Sequence, residues 1–274
     1  MNDHSENQLN PDDELKAENE VLRLKLELEH GMLHSDTSTL SSETENQWLN
    51  YIYNFEKLHK EAKRVKVYDF ISRPEFIRIE DLQPEEVPGA LKHLLSVMEE
   101  KSVGLDCICE YEDSVIYRFI TEELFAHEID DIFLEGMMHN FIYEEFHPNH
   151  SYDLRQCTEE FIENVFQKKW NPEFHTTVLA DAVSFRGNAY DNNGVSAIIL
   201  SFQEAHNRFQ IEKFEIEKVN FDVENGEATV LAALTYTAEN TQGRESYAGN
   251  CTVSFTHQWG FWHISSFQLP GLGD

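Results

Sequence analysis

Ionisable side chains recur every four residues in the middle of the chain, at His127, Asp131, Glu135 and His139, with Glu144, His147 and His150 downstream. On an unbroken helix the first four would share one slowly drifting face, as metal ligands drawn from a single element must. Glu144-x-x-His147 also has the spacing used by carboxylate-bridged di-iron helices. Such sites need a second Glu-x-x-His and two further glutamates from other helices, which the sequence does not offer, and Gly136 interrupts the stripe. The expectation is an acidic solvated face and a polar loop, with no metal and no cofactor.

The second place where residue types suggest chemistry is the short apolar run around Ser184 and Arg186. In a regular strand these two alternate with Val183 and Phe185 and face the same way. A guanidinium beside a hydroxyl can hold a carboxylate or sulfonate through charge-assisted hydrogen bonds, and Trp170 and Phe185 would supply aromatic surface for an apolar body. The competing use of Arg186 is an ion pair with an acid such as Asp181 or Glu204. His263, between Trp262 and Ile264, reads as a packed or edge residue, and no residue is assigned a catalytic role. The four cysteines, Cys107, Cys109, Cys157 and Cys251, form no metal or disulfide pattern; Cys107-Ile108-Cys109 alternates as a strand would, consistent with two small residues in a reduced core.

The charge narrows the partners. The 274 residues carry a formal −30, residues 1–150 holding 34 Asp and Glu against 13 Lys and Arg and residues 151–274 holding 17 against 8. Both parts therefore repel phosphate backbones and anionic lipid. The densest basic run, Lys57, Lys60, Lys63, Arg64 and Lys66, is interrupted by Glu56 and Glu61, so no nucleic acid is expected. No run is apolar enough to span a membrane and residues 1–10 lack the character of a secretory signal, which makes a soluble cytoplasmic protein the expectation.

Three segments position these residues: a helical arm and linker over 1–45, a small α+β domain over 46–150 and an α+β domain over 151–274. In the arm, Asp12 and Asp13 are candidate caps, and Leu15, Asn19, Leu22, Leu26 and Leu33 follow a coiled-coil seam with Asn19 at a register-setting position. Ala17, Val21, Leu24 and Leu28 make a second apolar line, so the helix either docks within the chain or pairs with a second copy. His34–Glu45 reads as a linker. The middle region reads as an aromatic helix through Trp48, Ile52, Phe55, Leu58 and Ala62, a strand-like Phe76–Ile79, a helix over 84–101 started by prolines, and a hairpin of Val103–Tyr111 with Val115–Ile120, after which Thr121 caps another helix.

From Ser151 the order is a helix ending near Trp170, a short helix Phe174–Leu179, a brief strand Ala182–Arg186, a helix Gly194–Phe209, and four strands, Glu212–Val223, Glu227–Thr237, Tyr247–Gln258 and Phe261–Leu269. Asn225-Gly226, Thr241–Arg244 and Trp259-Gly260 mark the turns. That order, with Leu179-Ala180-Asp181-Ala182-Val183-Ser184-Phe185-Arg186-Gly187, then Gly194-Val195-Ser196-Ala197-Ile198, and the closing Trp262-His263-Ile264, resembles the nuclear transport factor 2-like superfamily, which includes ketosteroid isomerase and the polyketide cyclases. The resemblance covers about 120 residues and leaves the N-terminal half unmatched. It implies a cone of three helices packed on a curved antiparallel sheet, with homodimers formed through the outer sheet face. In ketosteroid isomerases the general base is an aspartate at the end of the short strand; the matching position here is Arg186, which stays protonated and cannot accept a proton. The first helix offers Phe161, Phe166 and Trp170 and no tyrosine for an oxyanion hole. The resemblance thus implies a homodimeric binding or scaffolding protein for a small apolar acid or a protein partner. The alternative is an isomerase-, cyclase- or hydrolase-like enzyme in the cone, or a metal-dependent site in the acidic middle domain.

Overall fold

The computed structural model describes residues 10–32 and 40–272. The chain divides into two compact units, Met1–Phe146 and His147–Asp274.

In the first unit, α1 (Pro11–His30) and α2 (Ser42–Glu61) pack together. Asn10, rather than Asp12 or Asp13, caps α1, which leaves Asp12, Asp13 and Glu14 in the first turn to favour the helix dipole. Leu22 and Leu26 bury against Leu49 of α2. Asn19 is 1% exposed, and its Nδ2 donates to the Ser42 carbonyl at 2.9 Å and to Glu45 Oε2 at 3.4 Å. The register residue thus acts inside one chain, and of the two uses foreseen for the seam it is the intrachain one that this surface serves; Leu33 lies outside the described residues. Val21, Leu24 and Leu28 remain exposed on the far side of α1.

Two expectations for α2 are corrected. Ser42–Glu45, read as linker, is already helix, because Ser41 Oγ accepts from the Thr44 N–H at 3.2 Å and caps it. The buried residue is Leu49, with Ile52 packed beside it and Trp48 58% exposed, so the inward face keeps Ile52 of the expected line but turns Trp48 outward.

The rest of the unit follows as β1 (Arg64–Lys66), α3 (Val67–Phe70), α4 (Val87–Glu100), β2 (Val103–Asp106), α5 (Asp113–Arg118), β3 (Glu128–Asp130), β4 (His139–Ile142) and α6 (Tyr143–Phe146). Helix α4 matches its pattern, with Pro88 in its first turn and Val87, Leu91, Leu94 and Met98 buried. The expected hairpin is absent: β2 pairs in parallel with β4, and Val115–Ile120 lies in α5 and the helical turn after it. A short apolar run buried on all sides carries no period to separate strand from helix; Ile116, Tyr117, Phe119 and Ile120 all enter the core beside α4. Thr121 sits inside that helical continuation rather than at a cap. Phe76–Arg78 forms no strand and Ile79 opens a short helical turn, while Tyr117 donates its hydroxyl to the Ile77 carbonyl at 2.6 Å.

In the second unit, α7 (His150–Phe166) and α9 (Asn192–Ala205) pack on one face of a six-stranded sheet, and the short α8 (Pro172–His175) lies between them in sequence without burying a residue. Its strands are β5 (Leu179–Phe185), β6 (Asn188–Tyr190), β7 (Arg208–Asp222), β8 (Glu227–Asn240), β9 (Gly243–Gln258) and β10 (Phe261–Gln268), in spatial order β6-β5-β10-β9-β8-β7. All neighbours are antiparallel except β5 with β10. Val230, Ala232, Leu234 and Tyr236 of β8 alternate inward against Leu154, Phe161, Ile162 and Val165 of α7. Register shifts at Ile211/Lys213 and Ile216/Lys218 on β7 and at Ile264/Ser266 on β10 bend the strands. This is the expected order of helix, helix, strand, helix and four-stranded meander, with β6 added as a short return after Arg186.

Candidate functional site

The interior between helices and sheet is filled. Phe161, Phe166, Trp170, Tyr236, Phe255 and Phe267 are each no more than 5% exposed and pack ring to ring, Phe161 against Phe267 at 5.1 Å and Phe166 against Tyr236 at 4.5 Å. The buried polar side chains of this unit, Thr158, Ser196, Gln203 and Thr237, include no acid or base among the described residues. They are occupied by structure: Thr158 donates to the Leu154 carbonyl at 2.7 Å, Gln203 to the Val165 carbonyl at 2.8 Å, and Ser196 accepts from Trp170 Nε1 at 3.1 Å. Burial pushes the Cys251 thiol up to about 12, which keeps it protonated and inert at neutral pH.

A cleft of about 400 Å³ lies instead at the end of the short strand. Strand β5 alternates Val183 and Phe185 inward with Ser184 outward, because the apolar pair joins the core. The strand stops at Arg186-Gly187, both left-handed with φ 54° and 75°, the turn that returns the chain into β6. Arg186 is exposed there and lines the cleft with Ser184 and Phe185. Thr252, Ser266 and Gln268 add polar groups, and Phe267, Leu269 and Leu272 add apolar surface. Ser266 is brought opposite Ser184 by the parallel β5–β10 pairing, beside the bulge on β10. Arg186 has no ion pair or hydrogen-bond partner among the described residues, so neither Asp181 nor Glu204 neutralises it. A cation with no partner among the described residues, in a chain of net −30 and lining one cleft with two serine hydroxyls and four apolar side chains, suits an amphipathic anion.

Of the four residues singled out in the sequence, Ser184, Phe185 and Arg186 therefore meet at one cleft. Trp170 does not; it is held in the core by Ser196 and stands edge-on to Phe161 at 6.0 Å. Thr252, Ser266 and Gln268 carry no local signal, since only the strand order brings them there. His263 Nδ1 lies 3.2 Å from the Thr177 carbonyl, a packing role. His150 and His257 meet around Trp262, whose Nε1 donates to His150 Nδ1 at 3.1 Å. The hairpin register, which sets His257 opposite Trp262, was the available clue to the second of these.

The acidic stripe of the first unit is not formed. His127 follows a helical turn and stacks edge-on to Phe141 at 5.6 Å; Asp131 and Glu135 lie in a loop; His139 opens β4. The chain leaves helical geometry at Ala126, so a spacing of four no longer means a shared face. Cys107 and Cys109 fall beyond the end of β2, Cys107 exposed. The loop turns there because Glu144 accepts from the backbone N–H groups of Ile108 at 3.0 Å and Cys109 at 2.8 Å. Partial burial raises the Glu144 carboxyl, but these donors outweigh it and hold the group below its usual range.

No family model and no curated protein matches the chain. Among solved structures it is similar to a conserved protein from Planctomyces limnophilus, with 12% identity over 44% of this chain and 97% of that one and a TM-score of 0.37. It is similar to a protein from Streptomyces avermitilis of the nuclear transport factor 2-like family, with 10% identity over 43% of this chain and 93% of that one and a TM-score of 0.35. A hexachlorocyclohexane dehydrochlorinase is similar at 10% identity over 46% of this chain and 90% of its own, with a TM-score of 0.38. The likeness to nuclear transport factor 2-like proteins is partial, spanning less than half of this chain. No described helix is long and apolar enough to cross a membrane.

Proposed function

We propose that this chain is a non-catalytic, homodimeric binding protein of the cytoplasm whose C-terminal unit holds a small apolar acid in the cleft at Arg186. The observation that carries the reading is the Arg186 guanidinium, without an ion pair among the described residues, lining one cleft with Ser184 and Ser266 in an otherwise acidic chain. The carboxylate meets the guanidinium and the hydroxyls; the apolar body lies against Phe267, Leu269 and Leu272. The filled interior supports binding over catalysis, because acid–base chemistry requires a titratable group within reach of a substrate atom, and Phe161, Trp170 and Tyr236 occupy that space. The uncharged outer face of β8 and β9, with Thr229, Leu231, Ala233 and Thr235 opposite Ser254, Thr252, Asn250 and Ala248, supports pairing of two copies there.

Calorimetric titration of the chain with aromatic and branched-chain carboxylates, and with the primary amide of each, tests the ligand class. The acids are expected to bind and the amides to bind about tenfold or more weakly, the effect of replacing a charge-assisted hydrogen bond by a neutral one. No binding across the panel, or equal binding of acids and amides, removes Arg186 as an anion anchor.

A further inference from the structure

The four residues that follow β10, Leu269-Pro270-Gly271-Leu272, carry the signature of a type II turn, with proline second and glycine third. Gly271 has φ 73°, and the Leu272 N–H donates to the Leu269 carbonyl at 3.3 Å and closes the turn. Both leucines are buried, at 3% and 5% exposure, and both line the Arg186 cleft. Pro270 and Gly271, which join them, do not line it.

Two tyrosines seat this turn on the sheet. Tyr236 of β8 and Tyr247 of β9 are cross-strand partners, stacked with ring centres 5.1 Å apart and planes 17° from parallel. The Tyr236 hydroxyl donates to the Pro270 carbonyl at 2.6 Å. A Cβ on Gly271 would lie 2.5 Å from Tyr247 Cδ1 and 2.6 Å from Tyr236 Oη, well inside the roughly 3.5–4.0 Å of ordinary contact, so only glycine lets the backbone rest on the two rings. Gly249, two residues beyond Tyr247 on the same face of β9, makes room for the proline: a Cβ there would come to 3.3 Å from Pro270 Cγ. Neither tyrosine lines the cleft. What their contact with the turn fixes is where Leu269 and Leu272 stand.

We propose that the Pro270–Gly271 turn sets which apolar acids the Arg186 cleft accepts. Gly271 and Tyr236 are positioning residues, and Leu272 is the specificity-determining one, the fixed wall against which the body of the ligand ends. This rests on the binding reading above and adds a size limit to it. A cleft of about 400 Å³ is near the small end of ligand sites. A wall held at once by a hydrogen bond, a closed turn and a backbone seated on stacked rings does not retreat to lengthen it. The ligand is therefore a compact acid, and long-chain fatty acids are excluded.

The test is calorimetric titration of the full chain with straight-chain carboxylates from butanoate to dodecanoate and with the primary amide of each. For the parent, affinity is expected to rise by about fourfold per methylene up to a chain length at which the wall is met, and to fall beyond it. Leu272→Ala should move that limit to longer acids by about two carbons, the reach that the lost side chain vacates. Gly271→Ala, which displaces the turn, should blunt the limit, and Tyr236→Phe, which keeps both rings and loses the hydrogen bond, should blunt it less. In all three the preference for acid over amide should stay within about twofold of the parent's, because the anchor lies at a separate residue. A general loss of stability would weaken every acid alike and leave the limit in place. Each variant is melted alongside the parent, and Leu272→Ala with Tyr236→Phe carries the test if Gly271→Ala does not fold. An unchanged limit in the variants, with acids still preferred to amides, overturns the wall and leaves the anchor standing. A limit that moves while amides bind as well as acids keeps the wall and removes the anchor. No limit in the parent, or no binding at all, overturns the proposal.

Discussion

Replacing Arg186 by glycine separates a ligand anchor from a structural residue, because the two roles predict opposite changes in stability. Arg186 sits at φ 54°, where a side chain costs roughly 1–2 kcal/mol relative to glycine. Glycine returns part of that through the added freedom of the unfolded chain, roughly 0.5–1 kcal/mol. With no ion pair or hydrogen bond to lose among the described residues, Arg186→Gly is expected to stabilise the fold by about 0.5–1 kcal/mol, or roughly 2–4 °C in the melting of the C-terminal unit. Affinity for an apolar carboxylate should move the other way. Removing a charge-assisted hydrogen bond of roughly 1.5–3 kcal/mol weakens binding by about ten- to a hundredfold. Calorimetric melting of the ligand-free protein and titration with the tightest acid read the two effects independently. A variant that melts lower than the parent, or that binds the acid unchanged, would refute the reasoning, since Arg186 would then be holding the hairpin together.

Trp170→Phe leaves the Ser196 hydroxyl buried without its donor and is expected to cost about 1–3 kcal/mol in urea unfolding, while acid affinity stays unchanged because Trp170 is off the cleft. Glu144 has its folded pKa depressed, so its contribution to stability is present above the ordinary glutamate value and fades as the pH falls through the folded one; in Glu144→Gln that part of the acid sensitivity should vanish, read by hydrogen exchange of the Ile108 and Cys109 amides. Asn19 has an amide oxygen with no partner among the described residues, so Asn19→Leu is expected to stabilise the α1–α2 pair by about 1 kcal/mol, and a fall in exchange protection across α1 would contradict it. Light scattering should give twice the chain mass at micromolar concentration, and removal of residues 1–40 should leave the dimer intact; a monomer in either sample removes the sheet face as the pairing surface.

The two units differ in how much of their architecture a sequence can carry. In the C-terminal unit β8 has one buried and one half-buried face, Ala228, Val230, Ala232 and Leu234 alternating with Thr229, Leu231 and Ala233, and its length between turn signals makes it legible as a strand. Its turns announce themselves through Asn225-Gly226 and Trp259-Gly260, with Gly226 at φ 67°. The N-terminal unit has strands of three or four residues, and β2 finds its parallel partner β4 across more than thirty intervening residues. No local pattern encodes such a pairing. Where His127, Asp131, Glu135 and His139 repeat every four residues, the period is accidental, because the chain has already turned from helix into β3.

The candidate site was legible in its anchor but not in its wall. Alternation along β5, continued past its end, would set Ser184 and Arg186 on one side, the side away from Val183 and Phe185. A pocket inside the aromatic core could therefore never hold both Arg186 and Trp170. The cleft resolves this because β5 ends: at a left-handed turn the period of two lapses, and Phe185 and Arg186 can border one space from different directions. Its remaining members arrive from β9, β10 and the segment after β10, which the parallel β5–β10 pairing sets beside the turn. The irregular point of the sheet, where a bulge on β10 meets the end of β5, is thus where backbone alternation stops dictating which side chains face water, and an exposed cation is tolerated there at little cost to the core.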